Sequence, residues 1–413
     1  MQISTGPIGT HKKGVPFHIY GAGIAGLVMA YYLKKYGHQV VLYELSSKTG
    51  GKIGTVKSEH GLAEQAANAV FTNADVMELI QELNIDYIGA NKKLKRKIWR
   101  GSLKNLKMIS IYEILLILFR VLKKTPQIAE EMSVKEFFLP LLGNKVCDEV
   151  LSSALSGIYA TTSDQLHFLS IFKIEKSFKG NYLQFFKELK KKRAQKHKAT
   201  SISFKNGMQD LIDKLTSELS GNINLNASPA IDEYINNVIC TSAPDAAQLV
   251  QAQYPELSKE LNKIDYLPLS TSTYILNTEI EALKDSFGIL FPRQFEFKTM
   301  GILNNTAIFN RGVDKNYYSY TFITPQADDL QTLHSKEMYD LTQKDLFYNI
   351  KFSSHKVWKE GIPFYNYQRY KTVKALRTKI YNYNPGIIFF GNYVDGISIR
   401  EMISHAKNFA KNI

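Results

Sequence analysis

Cysteine is nearly absent from this 413-residue chain, with Cys147 and Cys240 far apart and no Cys-x-x-Cys spacing. That excludes a disulfide framework and a cysteine zinc site, and fits a reducing compartment. The nine histidines show no His-x-x-x-His spacing, so no metal site is expected. No Gly-x-Ser-x-Gly elbow occurs. No apolar run approaches the roughly 18 residues of a spanning helix. The first sixteen residues lack an apolar core of signal length, so no export signal is visible and a cytoplasmic location is expected. Acids are in short supply, 38 against 52 lysines and arginines, leaving a net charge of +14. An anionic partner and general solubility both explain that excess. Nucleic acid is not expected, because no recognition module accompanies the charge. Hydrophobic residues at 44% and charged residues at 22% exclude disorder as the main description. At about 150 residues per domain, the length suits two to three domains.

The most informative passage spans residues 17 to 45. Phe17–Tyr20 reads as a short buried strand, followed by Gly21-Ala22-Gly23-Ile24-Ala25-Gly26, a G-x-G-x-x-G turn. Ile24 to Tyr36 has helix formers at apolar spacing, with Gly37 at the place of a left-handed cap. Gln39 to Tyr43 gives a continuous apolar strand, as a doubly covered parallel strand should be. Glu44 closes it, eighteen residues beyond Gly26. Each position has a physical role in binding a dinucleotide. Gly21 allows the tight turn, Gly23 lets backbone amides approach a diphosphate, and Gly26 lets helix pack on strand. The helix amino terminus offers its positive end to phosphate, and Glu44 can accept hydrogen bonds from both ribose hydroxyls. Further on, Thr49-Gly50-Gly51-Lys52 places two glycines and a cation after the ribose acid.

That extension resembles the FAD-binding flavin amine oxidase superfamily, where the cation is arginine; Lys52 keeps the charge and loses the fork. Later segments narrow the resemblance to the protoporphyrinogen oxidase branch, nearly end to end. They are Gly61-Leu62-Ala63-Glu64-Gln65 with Asn68 and Phe71, Ile98-Trp99-Arg100-Gly101 with Leu103, and Ser156-Gly157-Ile158-Tyr159-Ala160 with Asp164 and Leu166. Ser203 to Leu211, the pair Gly288–Pro292 and Gly301–Leu303, and Gly391-Asn392-Tyr393-Val394-Asp395-Gly396-Ile397-Ser398-Ile399 follow in the family's order. Against ordinary amine oxidases, Gly391-Asn392 stands where those enzymes usually have Gly-Glu.

The resemblance implies an α/β fold with a discontinuous Rossmann-like FAD-binding domain, an antiparallel-sheet substrate domain and a helical, membrane-facing insertion. The FAD domain is assigned residues 15–72, 203–250 and 384–413, the insertion 92–165, and the substrate domain 166–202 and 265–383. Ile223 to Cys240 should form a hairpin of the FAD domain. FAD is the expected cofactor. Its expected contacts are Gly21, Ala22, Gly23, Ala25, Gly26, Glu44, Gly50, Gly51, Lys52, Gly391 and Asn392, with Ile397, Ser398 and Ile399 against the flavin's pyrimidine edge. A carboxylated, porphyrinogen-like substrate calls for a cation, with Arg100, Lys95 and Arg96 as candidates and Asn68 nearby. Two departures from the family pattern stand out: Lys52, and Ala66-Ala67 in place of Gly-Pro, where a methyl group faces the space of the ring.

The runs Ser272–Leu276, Tyr317–Phe322 and Phe364–Tyr367 read as strands of an antiparallel sheet. Lys107 to Lys124 reads as a helix with a narrow polar stripe of Ser110, Glu113, Arg120 and Lys124, and lysines at its ends (Lys104, Lys107, Lys123, Lys124). Such a helix suits either a buried position or the membrane interface. The densest basic run, Lys190-Lys191-Lys192-Arg193 with Lys196, His197 and Lys198, suits a solvated loop or an acidic lipid surface. The activity expected is oxidation of a porphyrinogen. An amine or polyene substrate, or a degenerate flavoprotein bound at a membrane, are the alternatives.

Overall fold

The computed structural model describes residues 7–9, 11–101, 109–193, 199–310, 316–383, 386–394 and 396–413. Leu103, Lys104, Lys107, Lys196, His197, Lys198 and Asp395 lie outside the described residues.

Two six-stranded sheets carry the molecule. In the first, the strands run in the order Ile8–Gly9, Ile387–Phe389, Asn236–Ile239, Phe17–Tyr20, Val40–Glu44 and Ile223–Leu225, all parallel except the first. Both faces of its central strands are covered, which is why Val238-Ile239 and Ile387–Phe389 are apolar at successive positions. Ile19, Leu42, Val238 and Ile388 pack with the helices Ile24–Lys35 and Ile399–Lys411. Tyr20, Ile239, Ile387 and Phe389 pack on the other face against Ala243–Val250, Pro255–Leu261 and the helix Tyr367–Tyr383.

The expected hairpin over Ile223 to Cys240 does not form. Its two strands run parallel and lie on opposite sides of Phe17–Tyr20 and Val40–Glu44. Two buried asparagines fix the second strand in place. The Asn236 amide donates to the Lys12 and Val15 carbonyls at 2.9 and 3.0 Å, and Asn237 donates to Asp232 at 2.7 Å. These bonds hold the start of the strand beside the segment entering Phe17 rather than beside Ile223.

The second sheet has the order Ile350–Pro363, Tyr266–Leu276, Tyr318–Thr324, Gly301–Asn304, Ser286–Leu290 and Lys95–Ile98. It is antiparallel apart from its last pair. Gly288–Leu290 pairs with Gly301–Leu303 as the sequence suggests. Phe364–Tyr367 is not a strand; it turns into the helix Tyr367–Tyr383, and Tyr365 is buried. Lys95–Ile98 belongs to this sheet rather than to the helical segment. Ser201–Phe204 pairs instead with Val70–Phe71 and Tyr87–Gly89.

The helical region joins Val134–Val146, Ser152–Tyr159, Phe168–Phe172 and Tyr182–Arg193 around one aromatic core. Residues 166–193 therefore pack with the insertion, not with the substrate sheet. Phe137 is at its centre, fully buried and stacked on Phe168 with ring centroids 4.1 Å apart. Against this core lies the helix Ile111–Arg120, capped by Ser110 and Glu113. It contains no buried residue. Ile111 and Phe119 are each 79% exposed, and Tyr112, Leu115, Leu118 and the following Leu122 are also out in solvent. The buried alternative for this helix is thus excluded; Glu113 and Arg120 of its polar stripe face the protein together with Ile117, while Lys124 is exposed.

Phe137→Ala removes the ring at the centre of this core. It is expected to cost about 3–5 kcal/mol, read as a lowered midpoint in urea unfolding followed by circular dichroism.

Candidate functional site

The site begins where the first two parallel strands end. Gly21 has φ +97°, a left-handed conformation that glycine adopts without strain. A methyl group on Gly26 would lie 1.9 Å from the Gly21 carbonyl oxygen, so helix and turn can pack this closely only with glycine there. Gly23 is the N-cap of Ile24–Lys35, and the helix has no side-chain cap and no acid in its first turn. Its first amides are therefore left for another acceptor, and an anion is the natural one.

Gly50 and Gly51 close the other side. The Gly50 amide donates to the Ala22 carbonyl at 2.8 Å, and a Cβ on Gly51 would meet the Gly23 Cα at 3.1 Å. Two bare backbones thus face each other at the uncapped helix end. This cradle fits a dinucleotide diphosphate, and a side chain on either glycine would occupy it. Ala22 and Ala25, in the same turn, are both buried. Glu44 stands at the end of Val40–Glu44, where one carboxylate oxygen accepts from the Ala22 amide at 2.7 Å. The other accepts from the Ser46 amide and hydroxyl at 2.9 and 2.8 Å. These bonds orient the carboxylate at the mouth of the cradle.

Lys52 does not turn back to the cradle. Its ammonium donates to the carbonyls of Glu360 and Gly361, in the strand Ile350–Pro363, and sits 5.5 Å from the Tyr266 ring. Burial pushes its pKa down to about 8. Lys52 therefore ties the nucleotide loop to the second sheet.

The segment after Glu64 runs between the two sheets. Glu64 is buried and accepts from the Met208 amide at 3.0 Å and the Thr55 hydroxyl at 2.6 Å. The Gln65 carbonyl accepts from Thr271 at 2.6 Å and from the Trp358 indole at 2.9 Å, both on the second sheet. Asn68 folds back, its amide 3.4 Å from the Ala66 carbonyl, while its own carbonyl accepts from Ser203 at 2.9 Å. Gln65 to Asn68 is thus pinned from both sides. Thr271 and Trp358 had no motif to mark them; their position emerges only when the sheet is assembled.

At the carboxy-terminal motif, Asn392 accepts from the Tyr365 hydroxyl through its carbonyl. Gly391 follows Phe390, whose amide bonds Ile239, next to the strand ends that face the cradle. Ser398 caps the helix Ile399–Lys411 in a reciprocal box with Glu401, and Glu401 pairs with Lys173 at 2.8 Å. Part of that helix end is thus capped by the chain itself. Ile397 packs toward the helical core and Ile399 toward the first sheet's core, so the turn joins the two regions.

Arg100 is not with these residues. It follows the last strand of the second sheet, at the opposite edge from Trp358. Its guanidinium is held by Glu113 at 2.7 and 3.1 Å and by Glu149 at 2.5 Å. The expectation that Arg100 meets a substrate carboxylate is corrected: two acids of the chain already occupy its fork. Arg96 lies over the Phe287 ring, and Lys95 is exposed.

Arg100 holds the Glu113 carboxyl well below its usual value, at about 2. A depressed carboxylate stabilises the fold above its ordinary value of 4.5, and that contribution is lost as pH falls toward 2. Arg100→Leu should lower the melting temperature at pH 7. It should also flatten the fall in melting temperature that the wild type shows between pH 4.5 and 2, as read by thermal scans across pH.

Comparison with known proteins agrees with this geometry. The family model described as an NAD(P)-binding Rossmann-like domain matches residues 19–83. The chain is 24% identical to protoporphyrinogen oxidase 2 (chloroplastic/mitochondrial) of Arabidopsis thaliana, over 97% of this chain and 95% of that one. It is 20% identical to coproporphyrinogen III oxidase of Bacillus subtilis, over 94% and 96%. A crystal structure from Exiguobacterium sp. 255-15, named for protoporphyrinogen oxidase, superposes with a TM-score of 0.77 at 18% identity, covering 97% and 98%. These relatives bear out the resemblance to protoporphyrinogen oxidases read from the sequence, with FAD as cofactor and oxidoreductase as class.

Proposed function

We propose that this chain is an FAD-dependent oxidase that dehydrogenates a porphyrinogen in haem formation. The observation that carries the reading is similarity to porphyrinogen oxidases along nearly the whole chain. When bound, FAD supplies the hydride acceptor, N5 of the ring. The chain's own part is to hold and to position. The glycine cradle and the uncapped helix end take the diphosphate, and Glu44 takes the ribose. Gln65–Asn68, clamped between Ser203 on one side and Thr271 and Trp358 on the other, presents a rigid edge beneath the second sheet. A segment held in this way would support a saturated carbon of the substrate in a fixed position once cofactor and substrate are bound. The absence of an acid–base pair in the motifs fits a reaction whose redox chemistry belongs to the cofactor.

The same reading includes a peripheral contact with an acidic bilayer. No helix among the described residues is long and apolar enough to cross a membrane, so the contact is with the surface. The helix Ile111–Arg120 turns Ile111, Ile114, Leu115, Leu118 and Phe119 outward, and exposed Lys123 and Lys124 follow. The Leu183 amide bonds the Val121 carbonyl at 3.1 Å, which joins this face to Tyr182–Arg193, with exposed Leu183, Phe186, Lys187 and Lys190. Apolar side chains ringed by lysines suit the interface of anionic lipid.

Purified, FAD-loaded protein is expected to turn protoporphyrinogen or coproporphyrinogen into the fluorescent porphyrin. Flavin that no porphyrinogen bleaches anaerobically would overturn the reading, and bleaching by an amine or polyene would replace it. Leu115→Glu combined with Phe119→Glu should abolish co-sedimentation with phosphatidylglycerol vesicles. Melting temperature should be unaffected, because neither side chain is buried.

A further inference from the structure

A guanidinium cannot escape burial by losing its proton, so a buried arginine needs an anion or a full set of acceptors. Arg369 has neither. It lies in the first turn of Tyr367–Tyr383 and is 5% exposed. Its side chain reaches one acceptor, the Val394 carbonyl, at a long 3.4 Å, and Nε has none. Among the described residues no carboxylate forms an ion pair with it. The group is nonetheless held in place. It stacks 3.8 Å from the Tyr365 ring centre, Tyr365 donates to Asn392, and the Arg369 amide donates to Asn366 at 2.8 Å.

The surroundings belong to the cofactor site. Val394 ends the turn that begins at Gly391 and Asn392. On another side the Arg369 charge is felt at the Tyr266 phenol. Tyr266 accepts from the Ala243 amide at 2.9 Å and lies beside Lys52, the residue after the cradle's Gly51. Lys52 itself is engaged with two carbonyls, so the cradle draws no fork-shaped cation from its own loop.

We propose that Arg369 is the counter-charge of the cofactor's diphosphate, an inference that rests on the FAD reading above. A diphosphate is a planar fork's natural partner, and it would satisfy the unmatched Nε. The arginine's stacking on Tyr365 pre-sets its orientation before the anion arrives.

The test uses the full chain, purified with FAD and then stripped of it. FAD and ADP-ribose, which has the diphosphate and lacks the ring, are titrated into wild type, Arg369→Met and Arg369→Lys. In the Met variant both ligands should weaken together by about ten- to a hundredfold, the range of a charge-assisted contact, with a smaller loss in the Lys variant. The ligand-free Met variant should melt no lower than wild type, since it loses an unmatched buried charge. Unchanged affinities overturn the proposal, as does weakening of FAD with ADP-ribose unaffected. A Met variant that melts well below wild type overturns it too, because the cation would then serve the fold. Wild type that takes up no FAD overturns the cofactor reading itself.

Discussion

The approach of two glycine backbones, Gly23 against Gly51, is the constraint on which the site depends. It requires that the turn after Phe17–Tyr20 be tight, that Gly26 let the helix close on that turn, and that the loop after Glu44 double back to bond Ala22. Each requirement excludes a side chain. What remains is a row of amides at an uncapped helix end with no acid in its first turn, and such a place favours negative charge for the same reason a phosphate binds there. The Glu44 carboxylate stands at the rim of this end, where three hydrogen bonds from Ala22 and Ser46 orient it.

From that constraint the second sheet takes its position. The loop that supplies Gly50 and Gly51 continues into Lys52, whose ammonium reaches the carbonyls of Glu360 and Gly361. Thirteen residues later the Gln65 carbonyl is bonded to Thr271 and Trp358. Two polar ties therefore join the nucleotide loop and its following hairpin to neighbouring strands of one sheet. A buried lysine with a lowered pKa is expensive by itself, so its presence at this junction argues that the alignment of loop and sheet is what it secures.

Local chemistry made part of this legible in advance. The strand, glycine turn, helix and acid from Phe17 to Glu44 depend on short-range rules of turn and cap, and they fold as those rules require. The terminal helix from Ile399 to Lys411 is equally local, with Ser398 and Glu401 forming its capping box. What failed was long-range. Ile223–Leu225 and Asn236–Ile239 look like a hairpin because they are close in sequence, yet the buried amide of Asn236 finds its partners far upstream, at Lys12 and Val15. Lys95–Ile98, with three cations in four residues, has no apolar pattern, and joins a sheet edge where Lys95 and Arg96 stay exposed while only Ile98 is buried. Arg369 carried no signal at all, because a single arginine is ordinary until burial removes its water.

The apolar helix shows a pattern whose period is legible in sequence while its direction is not. Ser110, Glu113 and Arg120 do share one face, and the natural inference is that the polar face meets water. Here Arg100 reverses it. Held by Glu149 on the protein side, the guanidinium draws Glu113 inward, and its ion pair is strong enough to hold that carboxyl far below its usual range. With Glu113 and Arg120 turned to the protein, Leu115, Leu118 and Phe119 are left on the outer surface. An exposed apolar face of this size is unfavourable in water, and that is the observation behind the proposed bilayer contact. The cation assigned by the sequence to the substrate thus acts elsewhere, as the anchor that turns this helix outward.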